Sequence, residues 1–65
     1  MKHTEHAYIN AGYKYERAST PNSGQAAAQV IRAMLDAEHH TDRTECRRLI
    51  EQGRAEARQL STAHH

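Results

Sequence analysis

Between Glu45 and Leu60 the chain reads ECRRLIEQGRAEARQL, and Cys46, Leu49, Ile50, Gly53, Ala57 and Leu60 fall there at offsets of 0, 3, 4, 7, 11 and 14. On an α-helix those offsets draw one narrow apolar stripe, with arginines and glutamates on the remaining surface. A helix with a single apolar face needs other elements to cover it, so this stretch dictates what the rest of the chain must provide. Period-two alternation and hairpin-type turns are both absent, so no strand is expected and the cover must be helical.

Two further helices are available. From about Thr4 to Ala18, Tyr8, Ala11, Gly12, Tyr15 and Ala18 share one side, and Ile9 with Tyr13 makes a second, displaced strip, a pattern suited to contact with two neighbours. Thr4 is the expected N-cap. Ser19 to Gly24 then breaks the helix with proline, glycine and small polar residues. The next helix starts from one of two competing caps: Thr20 followed by Pro21, or Asn22 with Gln25 as a capping-box variant. Its expected core face is Ala27, Val30, Ile31, Met34 and Ala37, widened by Leu35, and the run Ala26-Ala27-Ala28 favours helix intrinsically. After His39-His40, Thr41 or Asp42 caps the third helix, Asp42 with Glu45 as its capping-box partner.

The expected fold is therefore all-α: three short helices at about 4–18, 22–39 and 42–61 in a single domain, with residues 62–65 frayed. The second and third form an antiparallel hairpin and the first packs across it. The chain has 65 residues and no Phe or Trp, and folding at this length removes only about 60% of the unfolded surface from water. So thin a core implies association as part of stability. The third helix is the expected seam of a homodimer, where Gly53 allows close backbone approach, and Cys46, Leu49, Ile50, Gly53, Ala57 and Leu60 with Tyr8 and Tyr13 are the candidate protein-interface residues.

Charge narrows the partners. The net charge is +1, distributed as +1 over residues 1–18, −2 over 19–42 and +2 over 43–65. That bias is too small to argue for nucleic acid or membrane on its own. Arg43, Arg47, Arg54 and Arg58 nevertheless lie in a row along the third helix and are the candidate nucleic-acid contacts, although Glu45, Glu51 and Glu56 interleave with them.

No chemistry of a recognisable kind emerges. Ser19, Ser23, Ser61 and Cys46 are the available nucleophiles, and none stands in a nucleophile elbow or beside a base on a rigid element, so no enzyme is expected. The six histidines sit at helix ends and in a loop rather than at zinc-ligand spacing, so neither metal nor cofactor is expected. His64-His65 reads either as native or as the start of an affinity tag. One cysteine forms no internal disulfide, the first residues lack the apolar stretch of a signal peptide, and no apolar run is long enough to span a bilayer. A cytoplasmic protein is expected.

Two resemblances add to this. Asn10 to Arg17, followed by Ala26-Ala27-Ala28 and Ala33-Met34-Leu35, resembles one helix–turn–helix unit of the tetratricopeptide repeats, with a longer loop; this implies close small-residue packing in a helical hairpin. The chain also resembles the AraC negative regulators, small helical bacterial proteins that inhibit AraC-type transcription activators by binding them. The shared features are Tyr8, Ala11, Glu16 and Arg17 in the first helix, Ala26, Ala27, Ala33 and Ala37 in the second, and Glu45, Cys46 and Arg47 at the start of the third. Val30 and Arg43 stand where that family tends to carry tryptophans. The resemblance implies a small regulator that binds a transcription activator. The expected function is a bacterial or phage-encoded regulator acting on a transcription factor or host protein through protein–protein contact, and the alternative, read from the arginine row, is direct DNA binding by the basic side of the third helix.

Overall fold

A computed structural model describes residues 3–63, with side chains through Leu60. Three helices make up the described chain: α1 (Glu5–Arg17), α2 (Pro21–Asp36) and α3 (Arg43–Ala63). The expected all-α class holds, and no strand occurs among the described residues. Thr4 caps α1, its side chain accepting from Ala7 N–H at 3.2 Å. Of the two competing starts for α2, Thr20 is used. Its Oγ1 accepts from Ser23 N–H at 3.1 Å and Ser23 Oγ accepts from Thr20 N–H at 3.2 Å, a reciprocal capping box ahead of Pro21.

The ends differ from expectation in two places. α2 stops at Asp36 rather than His39, because Ala37 and Glu38 turn away and close the helix with N–H bonds to Ala33 and Leu35 carbonyls. α3 runs to Ala63, two residues beyond the expected end at 61. His64 and His65 lie outside the described residues.

The pairing of helices differs more. α3 lies along α1, α2 lies along α1 to a smaller extent, and α2 and α3 scarcely touch. Tyr8 meets Cys46, Gly12 meets Ile50 and Glu16 meets Arg54, so α1 and α3 run in the same direction. Gly24 approaches Ala18 while Tyr8 reaches Met34 and Glu38, so α2 runs against α1. Successive helices are thus antiparallel, as a hairpin requires, but the intimate pair is the first and third, and the second meets the third only through Met34 in the core and the bond from Arg43 to the Leu35 carbonyl.

The physical reason is a reciprocal pair of glycines. A Cβ on Gly12 would stand 1.9 Å from the Ile50 carbonyl oxygen, and one on Gly53 would stand 1.9 Å from the Ile9 carbonyl oxygen. Each helix drops its backbone into the notch left by the other's missing side chain, so carbonyl oxygens face Cα–H groups across the seam. Around it close Tyr8, Met34, Cys46, Leu49, Ile50 and Ala57, the buried apolar core. Ala7, Ile9, Ala11, Ile31 and Leu35 pack against its edge.

Candidate interaction surface

The α1–α3 seam settles where the stripe of α3 goes. Cys46 is 0% exposed, Leu49 2%, Ile50 7% and Ala57 1%, and Gly53 and Tyr8 are also buried, all within one chain. These six were candidate interface residues; the structure has them facing α1 or the core instead, and Gly53 makes its close approach to α1 rather than to a second copy. Leu60, 47% exposed, and half-buried Tyr13 remain at the surface, beside Glu56 and Gln59 in a shallow hollow of about 570 Å³.

The buried seam carries one polar cluster. Tyr8 donates its hydroxyl hydrogen to Glu38 Oε1 at 2.8 Å and lies 3.2 Å from the Met34 carbonyl oxygen, with Cys46 adjacent. Burial, followed by the Glu38 bond, pushes the Tyr8 hydroxyl well above the ordinary tyrosine range. The same contact covers one of the carbonyls exposed at the end of α2. Arg43 covers another, donating from Nε to Leu35 O at 3.2 Å. The turn between α2 and α3 is therefore tied down from both sides, and Glu38, 5% exposed, is its anchor. Sequence reasoning passed over Glu38. The available signal was an acidic residue placed just beyond a helix whose core face ends at Met34.

The arginine row is divided by the fold. Arg54 Nε meets Glu16 Oε1 at 2.9 Å and Arg58 Nη1 meets the same oxygen at 3.2 Å, while Glu51 takes Arg58 Nη2 at 3.1 Å and Arg54 Nη1 at 3.5 Å. Arg54 also lies over the Tyr15 ring, 5.2 Å from its centroid. The Arg54 bond holds the Glu16 carboxyl below its ordinary range. Arg54 and Arg58 thus serve as ties between α1 and α3, and Arg43 caps α2. Arg47 and Arg58 are the exposed members of the row. Arg48, outside the row, pairs with Glu45.

The second helix is where apolar surface is left over. Of its expected core face only Met34 is buried; Ile31 and Leu35 are half-buried, Ala37 is exposed, and Val30 is 54% exposed. Because α2 rests on α1 and hardly meets α3, an open groove of about 310 Å³ lies between α2 and the start of α3. Ala28, Ile31 and Leu35 line it along α2, and Arg32, Asp36, Arg43 and Arg47 carry its charge. Arg32 was not singled out from sequence. Its signal was its position as the only base in the acidic middle of the chain, one turn from Leu35 and Asp36.

The chain matches no family model, and neither a curated protein nor a solved structure is significantly similar to it. What the surface can do is therefore read from its own chemistry. Among the described residues no group of three or more His, Cys, Asp or Glu side chains is arranged to hold a metal ion, and no described helix is long and apolar enough to cross a membrane. Cys46 is buried in the seam. The groove offers apolar contact with guanidinium groups at its edge.

Proposed function

We propose that this chain is a small non-enzymatic regulatory protein that acts by occupying the surface of a protein partner, a transcription regulator or host factor of the kind implied by the resemblance to the AraC negative regulators. The observation that carries the reading is the apolar surface left uncovered on α2, where Ile31 and Leu35 are only half covered in the groove and Val30, outside it, is 54% exposed. Apolar side chains left in water beside arginines are the composition of an interface core with a charged rim. Leu60 and Tyr13 offer a second apolar contact, toward the other end of α3.

Homodimerisation, expected from the third helix, loses its original argument because α1 covers that stripe. The remaining exposed apolar residues keep self-association open as a part of the same reading. Direct DNA binding has less support, since three of the four arginines that would track phosphates bond to Glu16, Glu51 or the Leu35 carbonyl.

Capture by immobilised protein from an extract of the cells that make it, repeated with Ala28→Glu in the groove, tests the reading. The expected result is one defined protein retained by the parent chain and lost with Ala28→Glu at unchanged melting temperature. Recovery of nucleic acid instead, with affinity falling steeply as salt rises, overturns it.

A further inference from the structure

We propose that the groove between α2 and α3 seats an acidic amphipathic helix of a different protein; this rests on the protein-binding reading above and adds the chemistry of the partner. Ala28, Ile31 and Leu35 stand at i, i+3 and i+7 on α2 and form a two-turn apolar floor. Such a floor takes the i, i+3 or i+4, i+7 anchors of an incoming helix. At the edge, Arg32 and Arg47 are exposed beside a single carboxylate, Asp36, while Arg43 is tied through its Nε to the Leu35 carbonyl. A helix seated on the floor carries its flanking positions over those guanidinium groups, where Asp or Glu makes charge-assisted, bidentate bonds and Lys is repelled.

Charge complementarity also selects among occupants. A second copy has no acidic helix to offer: α1 sets Glu5 and Glu16 against Lys14 and Arg17, α2 sets Asp36 against Arg32, and α3 has three acids against five arginines. A duplex would need a continuous cationic track, yet Arg54 and Arg58 turn to Glu16 and Glu51, and the floor between the remaining arginines is apolar.

Photo-crosslinking in the cells that make the protein tests this, with Ala28→benzoylphenylalanine reporting the groove and Leu60→benzoylphenylalanine the opposite hollow. The expected adduct from position 28 is a protein segment that is helical and rich in Asp and Glu, found by sequencing the crosslinked peptide. A synthetic peptide of that segment should bind the full chain at least tenfold more weakly once Arg32→Glu and Arg47→Glu are introduced together, with the melting temperature unchanged. A neutral or basic segment at position 28, an acidic one insensitive to the arginine reversals, or protein adducts from position 60 alone overturns the inference and leaves the protein-binding reading standing. Adducts from position 28 with a second copy overturn the inference alone; adducts only with nucleic acid, or none from either position, overturn both.

Discussion

Gly12 and Ile50 meet backbone to backbone: a Cβ on the glycine would stand 1.9 Å from the isoleucine carbonyl oxygen, with its carbonyl carbon at 2.7 Å. Neither atom can yield as a flexible side chain does, so Gly12→Ala forces the helices apart along the whole seam. The same holds for Gly53→Ala against Ile9. Overpacking costs about 1–3 kcal/mol, against which the better helix propensity of alanine returns up to about 1 kcal/mol. Both variants should melt below the parent. Gly24→Ala meets only Ala18 Cβ, at 4.0 Å, and should be neutral or raise stability by about 0.5–1 kcal/mol. Thermal unfolding of the three variants side by side decides the matter.

Tyr8 makes stability depend on alkaline pH. Its hydroxyl is held protonated in the folded chain to a higher pH than in the unfolded one. Above about pH 10, where a free tyrosine ionises, the unfolded state therefore loses a proton that the folded state keeps, and stability falls with rising pH. Tyr8→Phe should reduce that alkaline slope. At neutral pH it should cost about 1–3 kcal/mol, because the buried Glu38 carboxylate loses its Tyr8 bond. Urea titrations at pH 7 and pH 10.5 measure both effects.

Acid acts through Glu16. The Arg54 bond lowers its folded pKa, so its contribution is present above the unfolded value of about 4.3 and is lost as pH falls through the folded one. Glu16→Gln should flatten the decline in melting temperature between pH 6 and pH 3, and added salt should weaken the parent's advantage at neutral pH. A variant with an acid limb as steep as the parent's would contradict this assignment.

Thr20 starts α2 through two reciprocal bonds with Ser23. Thr20→Ala removes the side-chain half of the box and should cost about 1 kcal/mol, read as a lower urea midpoint. Asn22→Ala should change little, since the Asn22 alternative is not used.

Leu49 and Val30 separate buried from exposed apolar residues. Leu49→Ala empties a site that is 2% exposed and should cost about 2–5 kcal/mol, enough to unfold much of so small a domain. Val30→Ser, at a site 54% exposed, should stay within about 0.5 kcal/mol of the parent.

The local signals in the chain are strong and the long-range ones weak. Thr4, Thr20 or Asn22, and Thr41 or Asp42 mark helix starts by hydrogen-bonding rules that act over three or four residues, and the observed helices begin directly after Thr4, Thr20 and Asp42. The stripe of α3 is equally plain, and its helix is buried on that side. Which helix covers it is not a local property. Gly12 carries no side chain to advertise its role, and only its register with Ile50 turns an ordinary helical glycine into a contact. Once α1 takes that position, α2 is left with a single fully buried residue, so Val30, expected in the core on periodicity alone, stands in water. The arginine row suffers similarly: its spacing is real, but Glu16, 38 residues away from Arg54, claims part of it. Position 32 draws notice only when α2 and α3 are seen to stand apart.

The parallel seating of α1 on α3 also governs how the chain comes into being. The helices that interlock are the ones farthest apart in sequence, so the closest contact demands closure of a loop containing nearly all the residues between them. A nascent chain exposing α1 and α2 holds neither Leu49 nor Ile50 nor the second glycine, and gains little by collapsing early. On this topology the core closes only once the third helix is available to meet the first.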